Sequence, residues 1–206
     1  MEEQNSDLLT IEGIYSKLKK FMLKNFIIDL GLYPNLIKFL AEESIYLDQE
    51  TIQLIEKDFR EKISEILEEF GSVFVKLNYS AATDSDFLVN KLECFKLEDI
   101  LILLKGSYKL NRNFENFQNK NSGLFLILKK FYNIKQENEF RLFIIENNVR
   151  GISQRHIYCY FNYDKAFIEE VKKNILDFYQ KELRPIFDSF PNLCLLMCYF
   201  SKNQKN

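Results

Sequence analysis

The chain has 206 residues, with 28 Lys and Arg against 30 Asp and Glu, one His, four Cys, three Pro and six Gly, for a formal charge of −2. That balance excludes a generic polyanion binder. Hydrophobic residues at 47%, with twenty Phe and no Trp, exclude a disordered chain and suffice for a buried core in one domain.

No run approaches the roughly 18 apolar residues that a spanning helix needs, and Met1-Glu2-Glu3-Gln4 is acidic where a secretory leader would be basic. A soluble, intracellular protein is expected. Cys94, Cys159, Cys194 and Cys198 have no metal-site spacing, and a single His removes the usual Cys/His zinc sets. They read as reduced thiols, mostly buried, with Cys194 and Cys198 on one face of a strand.

Upstream, Phe26-Ile27-Ile28 predicts a short strand, and the segment after Pro34 a helix that starts at proline. From Asp48 onward, Ile52, Ile55, Phe59, Ile63, Ile66 and Phe70 recur at three and four, predicting one amphipathic helix ended by Gly71. Ser72 to Asn78 reads as a strand. Asp99 to Lys105 reads as a short buried helix, and the Asn-rich stretch from Asn111 to Ser122 as a loop.

Strands are predicted over Leu124 to Tyr132, Glu139 to Glu146 and Val149 to His156, with Asn147-Asn148 as the turn of the hairpin. That register sets Arg141 against Gln154 and Glu139 against His156, so polar groups converge at one end of an apolar ribbon. Asp164 caps a helix carrying Phe167, Ile168, Val171, Ile175 and Phe178, and Pro185 ends it. Leu193 to Phe200 supplies a last strand. The class is α+β, with helices packed on an antiparallel sheet.

The glycines form neither GxGxxG nor GxxxxGK, which excludes a Rossmann site and a P-loop. His156, with no Ser or Cys motif to pair with, reads as structural. Lys76 shares a strand face with Phe74 and Asn78, opposite the apolar Val73, Val75 and Leu77. Two readings are open: an ammonium facing an anion, or an edge-strand lysine that discourages aggregation. Between residues 129 and 156, Lys129, Lys130, Lys135, Arg141, Arg150 and Arg155 outnumber Glu137, Glu139 and Glu146. This suits either a small anion such as a nucleotide, with Lys129-Lys130 beside Phe131-Tyr132, or a solvated strand end.

The segments Phe70 to Ala81, Leu126 to Phe131, Glu139-Phe140-Arg141-Leu142-Phe143 and Gly151-Ile152-Ser153-Gln154-Arg155 resemble, in order and separation, the cell division cycle protein 123 family. The likeness covers nearly the whole chain. It implies an ATP-grasp-like fold of two lobes, residues 1–110 and the truncated, sheet-rich 123–206, with nucleotide between them. It also implies an assembly chaperone for eukaryotic translation initiation factor 2, binding its gamma subunit in the cytoplasm in support of translation initiation and cell-cycle progression. A monomer is expected, with no nucleic acid or membrane partner.

By the same resemblance, the nucleotide-binding positions are Lys76, Tyr79, Ala81, Lys129, Lys130, Phe131, Arg141 and Arg155. Tyr79 and Phe131 stand where the family has Trp, Lys129 where it has Arg, and Thr83 where it has a basic residue. Leu193 to Phe200 lacks the family's acidic residue, and the Asp-Phe-Asn-Pro strand does not follow, so no magnesium site carries over and one sheet edge is left apolar. ATP binding is then lost, or weak and independent of metal. No catalytic residue is implied. The chain reads as a binding protein; the alternative is an ATP-grasp ligase or kinase, or an incomplete fragment of one.

Overall fold

The computed structural model describes residues 18–41, 47, 49–78, 80–120, 123–187 and 194–199, as backbone alone at 113, 116–120, 187 and 194–199. In chain order the elements are β1 (Asn25–Asp29), α1 (Pro34–Ala41), α2 (Gln49–Leu54), α3 (Lys57–Phe70), β2 (Val73–Leu77), β3 (Ser80–Ala81), α4 (Leu97–Gly106) and α5 (Tyr108–Lys120). They continue with β4 (Phe125–Lys130), β5 (Glu139–Ile145), β6 (Asn148–Gln154), α6 (Lys165–Phe178), a π turn (Tyr179–Leu183), α7 (Arg184–Phe187) and β7 (Cys194–Tyr199). The chain divides into two units, one running through Phe131 and the other starting at Tyr132.

In the first unit β4 inserts between β1 and β2, giving the antiparallel order β1-β4-β2-β3. Residues 123–130, grouped by sequence with the second half, therefore belong to the first sheet. One sheet face carries Val73, Val75, Leu77, Leu126, Leu128 and Ile28, all buried among Phe59, Ile63, Ile66 and Phe70 of α3 and the apolar residues of α4. At roughly 25 cal/mol per Å² of apolar area this contact is the main stabilising term of the unit.

Two helix expectations fail here for physical reasons. The helix predicted from Asp48, itself outside the described residues, is broken at Ile55 and Glu56. Glu56 takes extended backbone (φ −49°, ψ 131°), and its carboxylate accepts the amides of Asn35 at 2.6 Å and Leu36 at 3.1 Å. It thereby caps α1, whose first residue is Pro34, and compensates two donors that the helix cannot satisfy itself. The stretch predicted as a loop from Asn111 is helix α5. Ser107 Oγ accepts the Leu110 amide and donates to Asp84 Oδ1 at 2.6 Å, Asp84 Oδ2 accepts the Lys109 amide, and Leu110 and Phe114 are buried.

Gly71 stops α3 as expected: at φ 77° it sits in the left-handed region and returns its amide to the Leu67 carbonyl at 2.7 Å. Beyond it, β2 alternates between buried and half-buried residues.

In the second unit β5 lies between β6 and β7, both antiparallel to it. The hairpin turn is Glu146-Asn147, with φ of 49° and 56°, rather than Asn147-Asn148. An extra residue, Arg150, then bulges between the pairs Ile144↔Val149 and Phe143↔Gly151, so that Arg141 faces Ser153. Burial selects this register. It sets the buried Phe140, Leu142 and Ile144 against Gln154, Ile152 and Val149, whereas the expected register would set them against Arg155, Ser153 and Gly151.

Asp164 caps α6 through the Phe167 amide at 2.6 Å. Pro185 does not end the helical path. A π turn resets the hydrogen bonding, the Arg184 amide reaching the Tyr179 carbonyl, and Pro185 falls in the first turn of α7, where its missing N–H costs nothing. Val171, Ile175, Tyr179 and Leu183 form the buried stripe of this path. No helix among the described residues is long and apolar enough to cross a membrane.

Candidate functional site

Residues directly opposite one another in a ladder share a sheet face. Lys76 lies opposite Ile127 on one side and Ala81 on the other, and Lys129 lies opposite Phe74 and Asn25. Lys76 and Lys129 therefore occupy one face as diagonal neighbours, at a backbone separation of roughly 7–8 Å. Because β2 is paired on both sides at Lys76, the edge-strand reading of that lysine does not hold. Ala81 completes this face; Lys130, opposite Val73, falls on the other.

The Lys129 amine is half-buried, and burial pushes its pKa below the ordinary lysine value. No carboxylate pairs with it among the described residues. A desolvated ammonium of this kind is stabilised by an incoming anion. Phe131 continues β4 past Lys130, its amide donating to the Ser72 carbonyl at 3.0 Å. Tyr79 lies outside the described residues. At Thr83, where the resemblance implies a basic residue, Lys109 donates from Nζ to Thr83 Oγ1 at 2.6 Å.

In the second unit Glu139, Arg141, Ser153 and Arg155 share one face of the sheet. Arg155 Nη1 donates to Glu139 Oε1 at 2.6 Å, and His156 Nε2 meets Glu139 Oε2 at 2.7 Å, so one carboxylate orders both bases. The sequence placed Glu139 beside His156, and the side chains do meet, although in the observed register Glu139 pairs with Arg155. Arg141, a diagonal neighbour of Arg155, has no ion pair among the described residues. Each unit thus presents a pair of cations on one sheet face: Lys76 with Lys129, and Arg141 with Arg155.

Two cations on a flat, partly dehydrated face suit phosphate oxygens, Arg in bidentate fashion and Lys as a point charge. The donor set for a metal is different. Among the described residues no three His, Cys, Asp or Glu side chains gather as a metal site would need. Cys94 is buried, its thiol pushed up to about 12 by burial and by the charges of Asp99 and Glu93, and Cys159 is exposed.

With this geometry established, comparison places the chain. Residues 53–205 match the family model for D123, and the chain belongs to the D123 family. It is 31% identical over 163 residues to a translation initiation factor eIF2 assembly protein of Dictyostelium discoideum, covering 73% of this chain and 42% of that protein. It is 32% identical over 151 residues to the protein of that name from Xenopus tropicalis, covering 66% and 45%. The chain spans about two fifths of the length of the curated relatives it matches.

Among solved structures, Cdc123 from Schizosaccharomyces pombe superposes with a TM-score of 0.78 at 24% identity, over 98% of this chain and 82% of that one. A C-terminally truncated form of that protein gives 0.75 at 26%, with the same coverage. The mixed architecture of helices on antiparallel sheets is thus the Cdc123 architecture.

Proposed function

We propose that this chain is an assembly chaperone for eukaryotic translation initiation factor 2, acting by binding rather than by catalysis, with the gamma subunit as its direct partner. The observation that carries the reading is the D123 match over residues 53–205, together with relatives at 31–32% identity that are themselves eIF2 assembly proteins. Such a protein acts as a monomer in the cytoplasm, and its activity supports translation initiation and cell-cycle progression.

The proposal includes a nucleotide. On an ATP-grasp-like reading, phosphate contacts fall to Lys76 and Lys129 in the first unit and to Arg141 and Arg155 in the second, each pair on its own sheet face; Tyr79, Ala81, Lys130 and Phe131 are the other positions that the family resemblance implies. The paired cations support this, and the desolvated Lys129 amine supports it most directly. The reading takes binding to be weak and independent of magnesium, on the ground that the sequence from Leu193 to Phe200 has no acidic residue.

The test is a pull-down with purified gamma subunit alongside a nucleotide titration. Wild type should retain the subunit and bind ATP weakly, with or without magnesium. Lys76→Ala and Arg141→Ala should lose ATP and keep the subunit. Failure of wild type to retain the subunit would refute the partner, and tight, magnesium-dependent ATP binding would refute the account of the nucleotide.

A further inference from the structure

The side of the β5-β6 hairpin that faces α6 is not fully covered by it. Between β6 and α6 lies a groove of about 450 Å³, in the range of pockets that accept a ligand or an anchoring side chain. Its walls are apolar, with Val149, Ile152, Phe167 and Val171 among them, and Ile168 at its edge is 48% exposed.

The bulge at Arg150 shapes this groove. In an unbroken strand Val149 and Ile152 would point to opposite faces. One extra residue brings both to the α6 side and turns the Arg150 side chain to the groove. Lys172 lines the opposite wall, and among the described residues that line the groove the charged side chains are these two cations, with no Asp or Glu in the lining. The Arg150 pair with Glu146 is 3.8 Å long and exposed, so it holds Arg150 only loosely. Lys172 has no ion pair among the described residues.

An exposed apolar loop adjoins one end of the groove. Gln154, which lines the groove, donates from Nε2 to the carbonyls of His156 at 2.8 Å and Cys159 at 2.9 Å. Tyr163, also in the lining, stacks on Phe167 at 5.2 Å and donates to the Glu137 carbonyl. The loop so pinned holds Ile157, Tyr158 and Tyr160 at 60%, 96% and 89% exposure. Apolar and aromatic side chains held out in water by an ordered backbone mark a protein-binding surface, since ordering them on binding costs little further entropy.

We infer that the β6–α6 groove and the Ile157–Tyr160 loop form one docking surface for a protein segment whose apolar anchors are flanked by carboxylates. Apolar anchors match the walls, and carboxylates match the cationic rim. The bulge at Arg150 interrupts the edge of β6 and disfavours an added β-strand, so side chains seated in the groove carry the recognition. The inference rests on the reading above that the partner is initiation factor 2, and assigns this surface to it.

The experiment measures binding of the full chain to purified initiation factor 2 by surface plasmon resonance. It compares wild type, Arg150→Glu with Lys172→Glu, Tyr158→Ser with Tyr160→Ser, and the charge-keeping Arg150→Lys with Lys172→Arg. Each disruptive pair should weaken binding at least tenfold, the charge-keeping pair should stay within about threefold, and added salt should weaken wild type more than the Glu variant. All altered side chains are exposed, and unchanged thermal melts verify that each variant is folded. If wild type binds and both disruptive pairs bind equally well, this surface is not the docking site while the partner stands. If folded wild type does not bind at all, the reading of the partner fails and the inference falls with it.

Discussion

Glu139 holds Arg155 twice: its carboxylate accepts from Nη1 at 2.6 Å, and its carbonyl accepts the Arg155 amide at 2.9 Å. The contact fixes the guanidinium on the sheet face that it shares with Arg141, and it also competes with any anion for the same donors. Glu139→Gln should therefore strengthen ATP binding about threefold to tenfold while lowering stability by about 1–2 kcal/mol, the usual worth of a charge-assisted hydrogen bond. Calorimetric titration and urea denaturation check the two halves. Weaker ATP binding in the variant would mean that Arg155 is purely structural.

The Lys129 amine should make the proposed nucleotide site sensitive to pH. Burial favours its neutral form in the folded chain, so its folded pKa lies below the roughly 10.4 of an exposed lysine. The unfolded chain then binds more protons in that interval, and stability rises with pH from the lowered pKa up to the ordinary one. Anion affinity runs the other way, falling as pH rises through the lowered value. Lys129→Met should raise the urea midpoint at neutral pH, by an amount that shrinks in alkali, and should remove this component of the pH dependence of ATP binding.

Asp84 ties the N-terminus of α5 to an earlier turn. Burial by itself would raise its pKa, but the hydrogen bonds from Ser107 and the Lys109 amide, with the charge of Lys109, outweigh it and hold the carboxyl below its ordinary value. Its contribution is present above the unfolded pKa of about 3.9 and is lost as pH falls through the folded one. Asp84→Asn should cost about 1 kcal/mol at neutral pH, typical of a lost helix cap, and close to nothing in strong acid. Denaturation series at the two pH values test this.

Glu56 stabilises a helix that lies some twenty residues earlier in the chain. Glu56→Ala should cost about 1–2 kcal/mol by leaving the amides of Asn35 and Leu36 without their acceptor. Hydrogen exchange should quicken first at those two amides. Unchanged exchange there would show that water replaces the carboxylate without cost.

The thiols should differ sharply. Burial holds Cys94 protonated, and Cys159 is exposed, so in the native state a maleimide should modify Cys159 and spare Cys94. Peptide mapping after brief labelling reads this directly.

Local chemistry carried part of this structure in plain view. The alternation of Val73, Val75 and Leu77 gave the buried face of β2, Gly71 marked the end of α3, and Asp164 the start of α6. The features that escaped notice depend on distant partners. Glu56 breaks a well-patterned helix because its carboxylate serves α1. The Asn-rich segment is helical because Ser107 and Asp84 cap it, although Leu110 and Phe114 at a spacing of four were a usable hint. The hairpin slipped because burial of Ile152 and Val149, together with a bulge, outweighed the turn preference of Asn147-Asn148. The paired cations were legible as residues, and the sharing of a face by Lys76 and Lys129 followed once β4 was paired with β2. Lys109 beside Thr83 was not legible, since twenty-six positions separate the two.

The central claim, that this chain promotes assembly of initiation factor 2 through its gamma subunit, is tested most directly by the rate at which purified alpha and gamma subunits associate. Fluorescence transfer between labelled subunits should report faster or more complete joining as the chain is added in stoichiometric amounts, without ATP hydrolysis. Identical association curves with and without the folded chain would contradict the account.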